Sequence, residues 1–285
     1  MSNNYIRFDW AIKRLLRNKA DFTVLEGFLT ELLKESIKIE NILESEGNQT
    51  LETDKYNRVD ILVKNAKGEF VIIEIQNQKE YDYFQRMLYG TSKVITEYLH
   101  LGERYKEVKK VYSINIVYFD LGQGEDYVYL GKTDFKGLHQ KDILSLSPKQ
   151  QELLKGIKEP ADIFPEYYVI KVNQFDNVAK DTLDQWIYYL KNDEIREEFT
   201  AKGMKEAREL WRVDRLSSAD RKSYMKHMEY LSDQASLEWT MKVDAEDKVR
   251  KGEKYQIAKS LKSNGVDVGV IMKSTGLSRE EIEQL

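Results

Sequence analysis

The sequence predicts an α/β domain followed by a helical C-terminal extension, and three observations predict this class. Residues 57–76 form two runs rich in Val, Ile, Leu and Phe around a turn with Asn65 and Gly68, which is typical of a β-hairpin. Residues 79–101 carry apolar side chains at intervals of three or four, which indicates a long amphipathic helix. Beyond Asp176 the pattern is helical throughout, so the predicted strands all come before it.

Composition limits the function classes. The chain has 285 residues, of which 33% are charged, and its formal net charge is -4. That balance gives no general sign of a nucleic-acid-binding surface, although a local basic cleft is compatible with it. The absence of cysteine excludes disulfides and thiolate zinc sites, and three scattered histidines argue against a histidine-bound zinc enzyme. Because the sequence has neither a long apolar run nor an apolar leader, we expect a cytoplasmic protein without a membrane segment.

Two helices are predicted at the start of the chain. Residues 8–16 fit a short amphipathic helix, and Asp21 or Thr23 is suited to cap a second helix over residues 24–36 or beyond. The apolar side chains of this second helix form a stripe that we expect to be buried: Leu25, Phe28, Leu29, Leu32 and Leu33. Glu26 falls outside the stripe, so it either reaches a metal ion on a neighbouring strand or lies on a solvated face.

The hairpin turn determines which residues of the two strands face each other. Asn65 to Glu69 suit a three-residue loop with a type I turn, in which Gly68 adopts the left-handed conformation and forms a bulge. With that loop, Asp60 lies opposite Glu74, and their Cβ atoms are about 5 Å apart. A shift of one residue would move the two acids to opposite faces of the hairpin.

Two acidic side chains side by side on an apolar hairpin repel each other unless a cation lies between them. Asp60 and Glu74 therefore predict a divalent metal site, because carboxylate oxygens, a backbone carbonyl and water suit Mg²⁺. Gln76 shares the face of Glu74, since strand side chains alternate with a period of two. A hairpin with one wetted face alternates in the same way, so plain solvent exposure is the alternative. The apolar run of residues 70–75 favours a buried acid, and buried acids are rarely left unpaired.

The helix predicted for residues 79–101 has a stripe that we expect to be buried, and Gly102 is suited to end the helix. The stripe consists of Tyr81, Phe84, Leu88, Thr91, Ile95 and Tyr98. Arg86 and Tyr89 lie on its flank. Arg86 is suited to hold a phosphate or a site carboxylate through a bidentate contact, and a surface ion pair is the alternative.

Four more segments have strand patterns. Residues 108–119 and 127–131 are predicted to pair with each other across a glycine-rich turn, and residues 37–52 and 167–172 supply one strand each. From about Leu183 onward charged residues dominate and apolar positions become sparse, which is typical of solvated helices.

We therefore divide the chain into a domain of residues 1–182, a charged helical extension of residues 183–254 and a small tail of residues 255–285. The tail contains short helices in succession, and Ser278 with Glu281 predicts a capping box at the last of them. Helices of this size around short turns are typical of a helix-turn-helix module. The acidic last helix argues against groove recognition, so a dimerisation or docking tail is the alternative.

The order of these elements resembles the PD-(D/E)XK nuclease superfamily. More narrowly, it resembles the bacterial PD-(D/E)XK family transposases, also called Rpn-type recombination-promoting nucleases. The matching segments are FDWAIKRLL at 8–16, VDI at 59–61, EIQ at 74–76, RMLY at 86–89, and the tail from AKSLK at 258–262 to STGLS at 274–278. The resemblance spans nearly the whole chain. It implies a restriction-endonuclease-like fold, with a mixed central sheet flanked by helices and a helical C-terminal extension.

The resemblance also implies metal-dependent hydrolysis of DNA phosphodiester bonds in recombination or transposition. Asp60 and Glu74 would hold Mg²⁺ with the backbone carbonyl of Ile75, and Mn²⁺ would be a substitute. The third motif residue of the superfamily is usually Lys and here is Gln76, which carries no charge and is no base. Gln76 is still able to orient a water molecule, and Lys79 would supply a cation if its side chain reaches back.

Glu26, Lys79, Arg86 and Tyr89 are the candidate supporting residues of the site, and Lys79 is otherwise a surface lysine.

Other functions compete with DNA cleavage. If Gln76 makes the site inactive, the protein would bind nucleic acid or a protein partner without cutting. DNA is the expected partner, and a homodimer is compatible with double-strand cutting, which usually needs two active sites. Light scattering on a chain truncated near Asn192 would test whether the tail causes oligomerisation.

Overall fold

The computed structural model of the chain describes residues 5–14, 22–43, 60–99, 104–154 and 157–285. Its helices and strands are, in chain order, α1 (Phe8–Arg14), α2 (Thr23–Leu33), β1 (Ile39–Leu43), β2 (Ile61–Asn65), β3 (Phe70–Gln76), α3 (Tyr83–Glu97), β4 (Val111–Val117), β5 (Val128–Gly131), α4 (Pro148–Leu153), β6 (Glu166–Lys171), α5 (Thr182–Asn192), α6 (Met204–Leu210), α7 (Ser218–Ser263), α8 (Val268–Thr275) and α9 (Arg279–Glu283). The predicted helix end at Leu16, the cap at Asp21 and the helix stop at Gly102 lie outside the described residues.

The described strands form one six-stranded sheet in the order β1-β2-β3-β4-β6-β5. β3, β4 and β6 run parallel, whereas the pairs toward both edges are antiparallel. A mixed sheet flanked by helices, with a helical C-terminal part, confirms the predicted fold class. The predicted pairing of β4 with β5 is wrong. β4 has β3 on one side and β6 on the other, so β5 pairs with β6 instead.

The hairpin has the predicted register. Ile61 lies opposite Ile73, and Lys64 lies opposite Phe70. Gly68 has a φ of 79°, in the left-handed region, and its N–H donates to the Asn65 carbonyl over 2.8 Å. This turn conformation is costly for a residue with a side chain, so glycine is favoured at this position. The register brings the residue before β2 opposite the end of β3.

The N-terminal part of α2 differs from the prediction. Phe22 holds the N-cap position and has no polar side-chain atom, so the predicted cap by Thr23 is wrong. Glu26 is buried rather than solvated. In the predicted stripe Leu25, Phe28, Leu29 and Leu32 are buried as expected, and Leu33 is half-buried.

Helix α3 buries a different stripe from the predicted one. Its buried residues are Tyr83, Met87, Gly90, Thr91 and Val94, whereas Phe84 and Leu88 are exposed. Two neighbouring stripes of this helix are apolar and share Thr91, so periodicity alone did not separate them. The stripe that contains Gly90 faces β4.

The core of the first compact unit is aromatic, and this unit ends at Ser217. Ring centroids in its central cluster are 5.2 to 6.3 Å apart, mostly edge to face: Phe8, Phe28, Trp186, Tyr189 and Trp211. The unit therefore extends beyond the expected boundary at residue 182, since Trp186, Tyr189 and Trp211 complete its core. The division of the chain into three functional domains stays a prediction.

Residues 218–285 form the second unit. It consists of the 46-residue helix α7, which includes the short helix predicted at 257–262, followed by α8 and α9. Ser278 and Glu281 form the predicted capping box of α9. The small core of this unit contains Ala258, Ile271, Leu277 and Ile282. None of the described helices has the length and apolar character needed to cross a membrane.

Candidate active site

The two hairpin acids come together where β2 begins and β3 ends. Asp60 directly precedes β2, and its Oδ2 accepts a hydrogen bond from the backbone N–H of Ile75 over 2.8 Å. Its Oδ1 lies 2.9 Å from the ammonium group of Lys13 on α1. Both carboxylate oxygens of Asp60 are therefore held by donors from two different elements.

Glu74 is buried, with 7% of its surface exposed, and it is poorly compensated. Its nearest cation is Arg86 on α3, whose Nη2 lies 3.4 Å from Oε2. Burial, and then the charge of Asp60, raise the pKa of Glu74 to about 7, and the attraction of Arg86 and Lys13 does not offset them. At neutral pH a positive charge added between the two acids would therefore stabilise the folded protein.

Gln76 is tied to Arg86 through Glu80. One oxygen of Glu80, Oε1, accepts hydrogen bonds from Gln76 Nε2 over 2.7 Å and from Arg86 Nη1 over 2.9 Å. An ionised carboxylate only accepts hydrogen bonds, so the amide nitrogen of Gln76 has to face it. Its amide oxygen has no donor among the residues that the structure describes, and it remains available to a ligand or a water molecule.

A polar layer lies behind Glu74. Tyr83 donates to Asn115 Oδ1 over 3.2 Å, and Asn115 Nδ2 donates to Ser113 Oγ over 3.0 Å. A cavity of about 10 Å³, roughly the size of one water molecule, lies between this layer and the side chains of Glu74 and Arg86. The fixed layer restricts the rotamers of both side chains, which keeps the site ordered.

Three of the predicted supporting residues lie elsewhere. Lys79 is exposed, and its ammonium group is 4.8 Å from the ring centroid of Tyr81. Glu26 joins α2 to β1, because its carboxylate accepts from Lys38 Nζ over 2.7 Å and from the N–H of Ile39 over 2.9 Å. Tyr89 is exposed on α3. The described contacts of these three residues include neither of the hairpin acids.

Sequence reasoning missed Lys13 and Glu80. Lys13 looked like an ordinary polar residue of a short amphipathic helix, and its ion pair with Asp60 depends on where α1 packs. Glu80 follows β3 in an irregular connection, where no periodicity marks it. Its position four residues after Gln76 was the one available signal, and it is a weak one.

The oxygen atoms of this site fit a divalent cation. In the described ranges no cluster of three or more His, Cys, Asp or Glu side chains is placed to hold a metal ion. The available donors are Asp60, Glu74 and the carbonyl of Ile75, which faces the same side of β3 as the N–H that Asp60 binds. Two carboxylates, a carbonyl and waters suit Mg²⁺ or Mn²⁺, and a cation there would reverse the raised pKa of Glu74.

A comparison with protein-family models matches residues 6–155, which include both hairpin strands, to the PD-(D/E)XK nuclease family transposases. The chain belongs to this family. Residues 251–285 match the C-terminal HTH domain of the Rpn/YhgA-like nuclease family, and this range covers the end of α7 together with α8 and α9. Searches of curated proteins and of solved structures returned no match.

Membership of the PD-(D/E)XK nuclease family transposases confirms the resemblance drawn from the sequence. The assignment of Gln76 to the third motif position stays a prediction, and the ammonium group of Lys79, the other candidate for that position, lies 4.8 Å from the ring centroid of Tyr81. The roles of Asp60, Glu74, Gln76 and the Ile75 carbonyl stay predictions.

Proposed function

We propose that this chain is a metal-dependent DNA endonuclease that hydrolyses phosphodiester bonds in recombination or transposition. The observation that carries the proposal is the pairing of Asp60 with a buried Glu74 whose pKa is raised to about 7. Acids with strongly shifted pKa values are concentrated at functional sites, because such an acid is stabilised when it binds a ligand or a proton. The nuclease family of residues 6–155 and the C-terminal HTH domain support DNA as the substrate.

In this proposal Asp60, Glu74 and the Ile75 carbonyl hold Mg²⁺, with Mn²⁺ as a substitute. When bound, the ion would polarise the phosphate and lower the pKa of the attacking water. Lys13 holds the Asp60 carboxylate, and Arg86 restrains Glu74. Gln76 cannot take a proton, so its part is to orient the water through its amide oxygen.

A second candidate function is the binding of DNA or a protein partner without cleavage. Its supporting observation is that Gln76 is neutral while Lys79 lies over Tyr81, so neither supplies the usual cation of the third motif position. In addition, Lys13 and Arg86 already contact the two hairpin acids, which reduces their demand for a metal ion.

Plasmid nicking tests the two functions. Purified full-length protein is assayed with Mg²⁺, with Mn²⁺ and with chelator, beside Asp60→Asn and Glu74→Gln, which keep side-chain size. We expect metal-dependent nicking that both variants lose. The matched control is Glu40→Gln, an exposed acid on β1 of the same sheet, which should cut like the wild type.

Metal binding gives a second measurement that does not depend on activity. A ligand present at 100 times its Kd stabilises the fold by about 2.7 kcal/mol, so Mg²⁺ should raise the wild-type melting temperature. Asp60→Asn and Glu74→Gln should lose this increase, whereas Glu40→Gln should keep it. DNA binding that ignores chelator, without nicking in either metal, would overturn the endonuclease and support the second function.

A further inference from the structure

Helix α3 carries a second apolar stripe, which the described part of the chain leaves exposed. Met87 and Val94 of the first stripe are buried in the core, whereas Phe84 and Leu88 of the second are 53% and 60% exposed. Helices in proteins take most of their stability from packing an apolar face. An exposed apolar stripe beside a buried one is therefore expected to have a partner.

The exposed stripe forms one wall of a groove of about 380 Å³. The floor of the groove is one face of strands β6 and β5, where Val169 lies opposite Tyr129 and, two residues away, Tyr167 lies opposite Gly131. The hydroxyl groups of Tyr167 and Thr91 are hydrogen-bonded over 2.8 Å, so this face is on the α3 side of the sheet. We call this site the α3 groove, and its wall and floor residues are Phe84, Leu88, Tyr129, Gly131, Tyr167 and Val169.

The α3 groove has the width of one helix. α3 contacts β4, and β6 and β5 follow β4 in the sheet at successive spacings of about 4.8 Å. Helices that pack side by side are about 8 to 10 Å apart, which equals about two strand spacings. A helix beside α3 would therefore lie over β6 and β5, with one flank against Phe84 and Leu88. Gly131 leaves room beneath it, because it adds no side chain to the floor.

The end of the groove at which Phe84 lies is acidic. A Cβ atom placed on Gly122 would lie 3.9 Å from the Phe84 ring, so the connection between β4 and β5 borders this end. Residues 111–131 contain no Lys or Arg. The exposed acids of this connection and of the residue before α3 are Asp82, Asp120, Glu125 and Asp126. Lys171, 5.9 Å from the ring centroid of Tyr129, is buried. Such a surface disfavours a nucleic acid and favours a basic partner.

We propose that the α3 groove binds an amphipathic helix of a partner protein, whose apolar side chains enter the groove and whose Lys or Arg side chains lie at its acidic end. Helices dock in apolar grooves through anchors spaced three or four residues apart. The groove is separate from the candidate active site, because Phe84 and Arg86 lie about 200° apart around α3. The proposal goes beyond the endonuclease function and does not depend on it.

Peptide binding to the full-length chain tests the groove. The probe is a fluorescent amphipathic peptide of about 15 residues, the length at which isolated helices become marginally stable, with a stripe of leucines. Two versions carry either lysines or glutamates at the remaining positions. We expect the lysine peptide to bind at least tenfold more tightly than the glutamate peptide, as measured by fluorescence anisotropy.

Gly131→Phe fills the floor of the groove and should abolish binding of the lysine peptide. It should still fold, because a Cβ atom at this position would lie 3.5 Å from the Cβ of Tyr167, an ordinary contact distance. Leu88→Glu should weaken binding at least tenfold. The matched control is Val178→Glu at an exposed apolar residue outside the groove, and it should bind like the wild type.

The acidic end is tested by charge reversal. Asp120→Lys with Glu125→Lys should remove the preference for the lysine peptide, because the repulsion of the glutamate peptide is then lost. Glu152→Lys with Glu198→Lys makes the same change in charge at exposed sites outside the groove and should keep the preference.

Any other occupant overturns the proposal. A wild type that binds neither peptide does not have this docking site, and if Gly131→Phe also lowers the melting temperature, a helix of the same chain fills the groove. Light scattering that shows an oligomer for the wild type and a monomer for Gly131→Phe would assign the groove to a second copy. A single-stranded oligonucleotide whose binding Gly131→Phe removes would assign it to nucleic acid. Peptide binding that survives Gly131→Phe uses another surface.

Discussion

Two buried acids on the central sheet have opposite surroundings. Glu74 at the end of β3 and Glu166 at the start of β6 are 7% and 6% exposed. Glu166 accepts from Lys110 Nζ at 2.6 Å and lies 3.2 Å from Lys132 Nζ. Burial alone would raise its pKa, but the hydrogen bonds and charges of the two lysines lower it below its usual value. Glu74 instead has one arginine, Arg86, whose Nη2 lies 3.4 Å away, and a neighbouring acid, and its pKa rises to about 7.

The difference separates an acid that serves the fold from one that fits a ligand site. A buried carboxylate that is fully paired with cations stays ionised, and its oxygen atoms are already occupied by those partners. A buried acid that faces another acid is unstable until a proton or a cation joins it. Glu74 is therefore the better candidate for chemistry.

The largest effects are expected from neutralising each acid in turn. Glu74→Gln should lower the nicking rate by about 10² to 10³, because it removes a charge that acts at the reacting centre. Glu166→Gln should leave nicking unchanged and lower the free energy of unfolding by about 3 kcal/mol, since Lys110 then remains as a buried charge without its partner. Nicking rates and urea unfolding measure the two effects.

One result would contradict different roles for Glu74 and Glu166. If both glutamines abolish nicking and both destabilise the fold by similar amounts, the two acids have the same role. The comparison of their surroundings would then carry no information about the active site.

Glu74 and Glu166 should also change the free energy of unfolding in opposite directions as the pH changes. Glu74 has a pKa of about 7 in the folded chain and 4.5 ordinarily, so between these values the folded state binds more protons and stability falls as pH rises. Glu166, with its lowered pKa, contributes stability above its ordinary value that is lost as pH falls through the lowered one. Without metal, Glu74→Gln should therefore exceed the wild type by up to about 3 kcal/mol at pH 8.

Urea unfolding at pH 5 and pH 8 in chelator measures this effect. The advantage of Glu74→Gln should shrink toward pH 5, where wild-type Glu74 is already protonated in the folded chain. An advantage that is the same at both pH values would contradict the raised pKa.

The hairpin was predictable because its determinants are local. Asn65 and Gly68 set the turn, the turn sets the register, and the register brings Asp60 opposite Glu74. The pairing of β5 was not predictable, because β6 arrives much later in the chain and takes the free edge of β4. These differences separate contacts set by adjacent residues from contacts set by packing.

The partners of the site acids also come from packing. Lys13 reaches Asp60 only because α1 lies beside the hairpin, and Glu80 reaches Gln76 only because the chain bends after β3. Lys79 carried the expected charge at the expected distance along the chain, yet its side chain turns to Tyr81. Spacing along a sequence predicts which residues are near a site, but not which way an irregular connection directs them.

The smallest expected effect concerns Glu80, which holds the amide of Gln76. Glu80→Ala should lower kcat about tenfold with unchanged DNA affinity, because it frees an amide whose orientation the proposed mechanism needs. In a Gln76→Ala background the same change should cost little, and any remaining loss measures its hold on Arg86. Asp82→Ala, an exposed acid with no capping bond, is the control. Fully additive losses in the double variant would mean that Glu80 does not act through Gln76.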